Sequence, residues 1–153
     1  MQEDCFMAYT QETKSTISLK MLKIARLGWT YTRDHLSDSK LSFVQYRVCE
    51  AIYSEPEASQ DDVARRLGMD KSSVAKLVFK LIEIGYVERA VNPRDRRQYK
   101  LYLTERGVEK TEEFLHLLIE WEESVFGAVG PAAYEECQKN LTMVLDLALQ
   151  MEE

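Results

Sequence analysis

The chain has 153 residues, 45% of them apolar and 30% charged, with a formal net charge of −6. That is enough for one domain with a real core, and it excludes a disordered chain or a small disulfide-held scaffold. No apolar run approaches the roughly 18 to 20 residues that cross a bilayer, and Met1 to Phe6 is acidic, unlike a signal peptide; a cytoplasmic protein with no membrane partner is expected.

Residues 1–15 show no sustained period. From Ile17 the positions Ile17, Met21, Ile24, Gly28 and Tyr31 step by four and three, the spacing of a helix with a heptad-like seam. Asp38-Ser39-Lys40 interrupts it. Phe43, Val44, Val48, Ala51 and Ile52 form a second helical face that stops before Pro56. Ser59 with Asp62 forms a capping box, although Asp stands where Glu or Gln is usual. The helix they start carries Val63, Ala64 and Leu67 and ends at Gly68. Asp70 caps the next helix, whose inner face is Val74, Leu77, Val78 and Leu81, with Gly85 at its end. Two short capped helices around Gly68-Met69-Asp70 make a helix-turn-helix.

Two apolar-alternating runs follow, joined by Asn92-Pro93-Arg94-Asp95, which suits a type I turn. Thr104 caps a long helix carrying Phe114, Leu118, Trp121 and Val125, broken by Gly127 and Gly130-Pro131. The last helix places Tyr134, Cys137, Leu141, Val144, Ala148 and Met151 on one seam, a pattern that faces another helix. The expected fold is mainly α with a small β-hairpin wing.

Charge is concentrated. Residues 63–106 carry 11 basic and 5 acidic groups, whereas residues 107–153 carry 2 basic and 11 acidic. Polyanion binding depends on the local patch, so the net charge is a poor guide. The outer side of the helix after the turn offers Lys71, Ser72, Ser73, Lys76 and Lys80. Small hydroxyls let a helix approach base edges, and lysines reach phosphates. At the hairpin tip Arg94, Arg96 and Arg97 suit a narrow minor groove, with Asp95 to hold a guanidinium in one pose. No nucleophile–base pair or phosphate loop appears, so no catalytic residue is assigned and no enzyme is expected. His35 and His116 have no ligand-spaced neighbours, and Cys5, Cys49 and Cys137 are widely separated. No metal and no cofactor are expected.

With these residues in place, the sequence resembles the MarR family of winged helix-turn-helix regulators. The resemblance rests on Leu41-Ser42-Phe43-Val44-Gln45-Tyr46, Asp62-Val63-Ala64-Arg65-Arg66-Leu67 and Leu81-Ile82-Glu83-Ile84-Gly85-Tyr86-Val87. The wing pattern Asn92-x-Arg94-Asp95-x-Arg97 and the exit Leu103-Thr104-Glu105-Arg106-Gly107 complete it. It implies one subunit over residues 1–153, with a winged helix-turn-helix over 41–104 and dimerisation helices at 16–36 and 105–153. It implies a homodimer on double-stranded DNA, reading a pseudo-palindromic operator. The recognition helix, 71–84, would enter the major groove and the wing, 92–97, the minor groove, where Arg97 would be oriented by Asp95. Repression of transcription, relieved by a small ligand or other signal, is the expected activity.

Three features depart from the family pattern. Asn92 stands where Asp is frequent, and the first fifteen residues exceed what the motifs need. Phe79 lies where a polar residue is common, and three roles are open to it: core, thymine-methyl contact, or packing against the first helix. For sensing, Trp29, Tyr31, His35, Tyr46 and Arg47 are candidates to line a crevice for a small aromatic effector, or are plain interface core. Cys5-Phe6-x-Ala8-Tyr9 resembles the peroxide-sensing members only superficially, because Cys5 lies too far before Leu41. The alternative to a DNA-binding regulator is a winged-helix protein-interaction module, supported only by the acidic C-terminal third.

Overall fold

A computed structural model describes residues 16–37, 41–93 and 98–151. Six helices and two strands run in the order α1 (Ile17–His35), α2 (Phe43–Ser54), α3 (Gln60–Leu67), α4 (Lys71–Glu83), β1 (Val87–Val91), β2 (Tyr99–Leu103), α5 (Glu105–Gly127) and α6 (Pro131–Gln150).

Local chemistry explains most of the boundaries. The side chains of Thr16, Ser42, Ser59, Asp70 and Thr104 each accept a hydrogen bond from the backbone N–H three residues on, which satisfies a donor the helix start leaves unpaired. Ser42 with Gln45 and Ser59 with Asp62 are complete capping boxes. α3 and α4 stop in the same way. The Met69 N–H donates to the Ala64 carbonyl and the Tyr86 N–H to the Leu81 carbonyl, both at 2.9 Å, around Gly68 at φ +60° and Gly85 at φ +75°. Both turns require the left-handed conformation that glycine adopts without strain.

The core lies where α2, α3, α4, β2 and α5 meet. Tyr46, Val48, Ile52, Val63, Val74, Val78, Leu81 and Leu101 are all at most 1% exposed. Two details differ from the sequence expectation. Val44 lies outside the core at 38% exposed; α2 instead turns Tyr46, Val48, Cys49 and Ile52 inward. The α1 seam is buried at Gly28, where it meets Trp121 and Leu118 of α5, but not at Ile17 or Ile24. A Cβ on Gly28 would lie 2.9 Å from the Trp121 ring, so glycine permits that close approach.

The strands pair antiparallel from Val87↔Leu103 to Val91↔Tyr99. The hairpin is also tied to the core along its other edge. The Glu57 N–H donates to the Leu101 carbonyl at 3.2 Å, and the Leu101 N–H donates to the Ala58 carbonyl at 3.0 Å. Glu57 takes a positive φ of 71° to make this contact, and its carboxylate pairs with Lys100. The wing is thus fixed to the segment between α2 and α3 as well as to α4.

In α6 no residue is buried. Leu141, Val144, Leu145 and Leu149 are all at least 41% exposed, as are Ile17, Leu22 and Ile24 of α1. No helix among the described residues is long and apolar enough to cross a membrane.

Candidate nucleic-acid interface

The turn between α3 and α4 sets what α4 can present. The Asp70 carboxylate accepts the Ser73 N–H at 2.9 Å and the Ser72 hydroxyl at 2.6 Å. These hydrogen bonds from Ser72 and Ser73 hold the Asp70 carboxyl well below the usual carboxylate range. Asp70 therefore both starts α4 and fixes the Ser72 side chain at its N-terminus, where the helix dipole adds positive potential.

Val74, Val78 and Leu81 attach α4 to the core, leaving Ser72, Lys76, Phe79 and Lys80 on its outward side, all exposed. Ser73 is half-buried. Lys71 is exposed but bridges back to Asp61 of α3, Nζ to Oδ2 at 2.7 Å. Lys76 and Lys80 enter no ion pair among the described residues. The structure thus places four of the five helix residues singled out from the sequence on the outward side or its margin, and turns Lys71 toward the preceding helix. Phe79 is 63% exposed, which excludes a core position for it.

The wing enters this surface through its stem. Asn92 N–H donates to the Gln98 carbonyl at 3.0 Å, closing the hairpin above Val91↔Tyr99. The Arg89 guanidinium lies over the Tyr99 ring, 4.5 Å from its centroid, a cation–π contact that stiffens the stem. Arg89 was not among the sequence candidates; its signal is a diagonal cross-strand contact with Tyr99, two residues from its register partner Leu101, visible only once the register is known. Arg94, Asp95, Arg96 and Arg97 lie outside the described residues, as does the turn expected to join Asn92 to Asp95. At the other end of the hairpin Arg106 lies over Tyr86 at 4.7 Å and donates to the Ile84 carbonyl at 3.3 Å, clamping the wing base to α5.

The five residues considered for an effector are divided among four environments. Tyr46 is fully buried, stacked on Phe114 with centroids 4.8 Å apart. Trp29 packs on Phe43 at 5.2 Å and lines an apolar cavity of about 430 Å³ between α1, α5 and α6, with Gly28, Trp121 and Cys137. Tyr31 and His35 stack on each other at 4.1 Å and line a neighbouring groove with Trp121 and Phe126. Arg47 is exposed and lines neither. Glu122 and Lys20, not singled out from the sequence, both line the Trp29 cavity, and burial pushes the Glu122 carboxyl up.

The cysteines differ as sharply. Cys49 is buried and its thiol is pushed up to about 12 by burial, which removes the thiolate on which oxidation depends. Cys137 is half-buried, and Cys5 lies outside the described residues. Among the described residues no group of three or more His, Cys, Asp or Glu is placed to hold a metal ion.

A helix-turn-helix followed by a core-anchored β-hairpin, with a cationic helix face beside it, defines a winged helix-turn-helix protein. A MarR-family profile matches residues 39–98. The HTH-type transcriptional regulator BilQ of Clostridium symbiosum (strain WAL-14163) is 33% identical over 114 residues, covering 74% of this chain and 72% of that protein. A MarR transcriptional regulator from Methanosarcina mazei Go1 superposes with a TM-score of 0.79 at 24% identity, covering 88% of this chain and 97% of that one. The PcaV transcriptional regulator from Streptomyces coelicolor, solved in complex with its natural ligand, gives 0.70 at 19% identity over 88% and 94% of the two chains. The chain belongs to the MarR family of DNA-binding transcriptional regulators.

Proposed function

We propose that the chain is a cytoplasmic, homodimeric repressor that grips a pseudo-palindromic operator from one face. The observation that carries this reading is the outward side of α4, where Ser72, Lys76 and Lys80 stand exposed, followed in the chain by a wing tied to the core along β2 through Glu57 and Ala58. Each α4 would enter a major groove, the two copies about 34 to 36 Å apart, one helical turn of DNA. Each wing would lay Arg97 in the flanking minor groove with Asp95 beside it. The exposed apolar faces of α1 and α6 support dimerisation, because a lone subunit would leave them in water.

The same reading assigns release of DNA to a small aromatic acid in the cavity beside Trp29. The cavity volume is within the range of small-molecule sites, and Lys20 at its rim would meet a carboxylate. Because that cavity lies between the dimerisation helices and the Trp29–Phe43 contact with α2, filling it would change the spacing of the two α4 helices. That PcaV, a protein of the same fold, was solved with its natural ligand is consistent with a ligand as the signal and says nothing of its chemistry.

The test is a mobility shift on a pseudo-palindromic duplex found beside the encoding gene. Arg97→Ala should weaken the complex by about 1 to 3 kcal/mol while the protein still elutes as a dimer. A monomeric variant would refute the assignment of residue 97 to the wing. Absence of any duplex shift at low salt would instead favour a protein-interaction module. Salicylate-like compounds should raise the melting temperature and release the duplex; no response to any of them would remove the effector part of the reading.

A further inference from the structure

Phe79, 63% exposed, is the one exposed residue of α4 with no polar group. A single exposed aromatic ring is ordinary on most surfaces. This one is set on the helix that follows the turn, between Lys76 and Lys80, while Val74, Val78 and Leu81 of the same helix are fully buried. Ser72, Lys76 and Phe79 follow the spacing i, i+4, i+7 and share one face. Recognition helices use that spacing to reach successive base edges. At about 1.5 Å per residue Phe79 lies about 10 Å along the helix from Ser72, the length of about three base pairs.

A phenyl ring can neither donate nor accept a conventional hydrogen bond, so it cannot read the polar edges of guanine, cytosine or adenine. The apolar group in the major groove is the thymine 5-methyl, and phenylalanine is one of the side chains that pack on it. The lysines on either side supply phosphate attraction that holds the ring over the groove floor. Resting on the DNA-binding reading above, we infer that Phe79 is a specificity-determining residue that selects a thymine in each operator half-site by contact with its methyl group.

The experiment starts from a random-sequence duplex library enriched by the full-length wild-type protein. Deoxyuridine, which lacks only the methyl group, then replaces thymidine at each enriched position in turn. Wild type should lose about fourfold in affinity at one thymine per half-site, the worth of burying one methyl group. Phe79→Ala should bind the thymine and uracil duplexes equally, and Phe79→Leu should keep part of the difference. Because the side chain is exposed, both variants should match wild type in circular dichroism and melting temperature. If Phe79→Ala keeps the full thymine preference, or wild type shows no uracil-sensitive position, the inference is overturned. If folded wild type enriches no duplex at all, the DNA-binding reading fails with it, and the two failures are thereby distinguished.

Discussion

Gly107 in the first turn of α5 abuts the backbone of Tyr86, so that a Cβ on Gly107 would lie 2.0 Å from the Tyr86 carbonyl oxygen. That carbonyl also accepts the Thr104 N–H at 3.1 Å, and the Thr104 hydroxyl donates to the Gly85 carbonyl at 2.7 Å. The end of α4, the start of the wing and the start of α5 are therefore packed backbone against backbone at one point.

Gly107→Ala should be strongly destabilising, because the methyl would meet backbone that cannot rotate away. Overpacking costs typically about 1 to 3 kcal/mol, and the upper end or more is expected here. Gly127→Ala, in the same helix but with open space around its Cβ position, serves as the control and should be neutral or mildly stabilising. Urea unfolding of both variants decides; equal midpoints would disprove the close approach.

Acid should loosen the recognition helix through its cap. The folded-state Asp70 carboxyl is held below its ordinary value by Ser72 and Ser73, so its contribution is present above the unfolded carboxylate pKa of about 3.9. It is lost as pH falls below that value through the lowered folded one. Asp62 is lowered in the same direction by Ser59 and adds to the effect. Melting temperatures measured from pH 5 down to pH 2 should fall more steeply for wild type than for Asp70→Asn, which keeps a capping oxygen but no titration. Parallel curves would count against the cap as a titrating element.

The lysines of α4 should not contribute equally to DNA binding. Lys76 and Lys80 are available to phosphates, whereas Lys71 is engaged with Asp61 at 2.7 Å. In plots of log affinity against log salt, Lys76→Ala and Lys80→Ala should each flatten the slope by about 0.9 for every phosphate that the lysine had neutralised. Lys71→Ala should flatten it less. An equal change for all three would mean that the Lys71–Asp61 pair opens on binding.

Cys49 should resist thiol reagents in the folded protein. With its thiol pushed up to about 12 by burial, almost none of it is thiolate at pH 8. Iodoacetamide followed by mass spectrometry should leave Cys49 unmodified in native protein and label it in urea. Rapid native labelling would show an opening of α2 away from Thr111 and Phe114.

Much of the architecture was legible because its signals are local. Ser59 with Asp62, Asp70, Thr104, Gly68 and Gly85 act on neighbours within five residues, and each marks an end of a helix that the structure contains. The Ser42–Gln45 capping box that starts α2 is a signal of the same local kind, Ser followed by Gln three places on. The outward side of α4 was legible for the same reason, since one helical period separates inner from outer residues.

What stayed hidden depends on residues far apart in the chain. Nothing near Tyr46 says that Phe114 covers it, which takes it out of any ligand crevice. Nothing near Lys71 says that Asp61 lies across the turn within reach. Sequence alone determined the helix ends, the helix-turn-helix, the hairpin and the cationic block, because capping, turn geometry and periodicity operate over a few residues. The tertiary structure decided that Gly107 must lack a side chain and that the wing is anchored by Glu57 and Ala58. Those outcomes are set by which surfaces close on one another, and close packing answers to the whole chain at once.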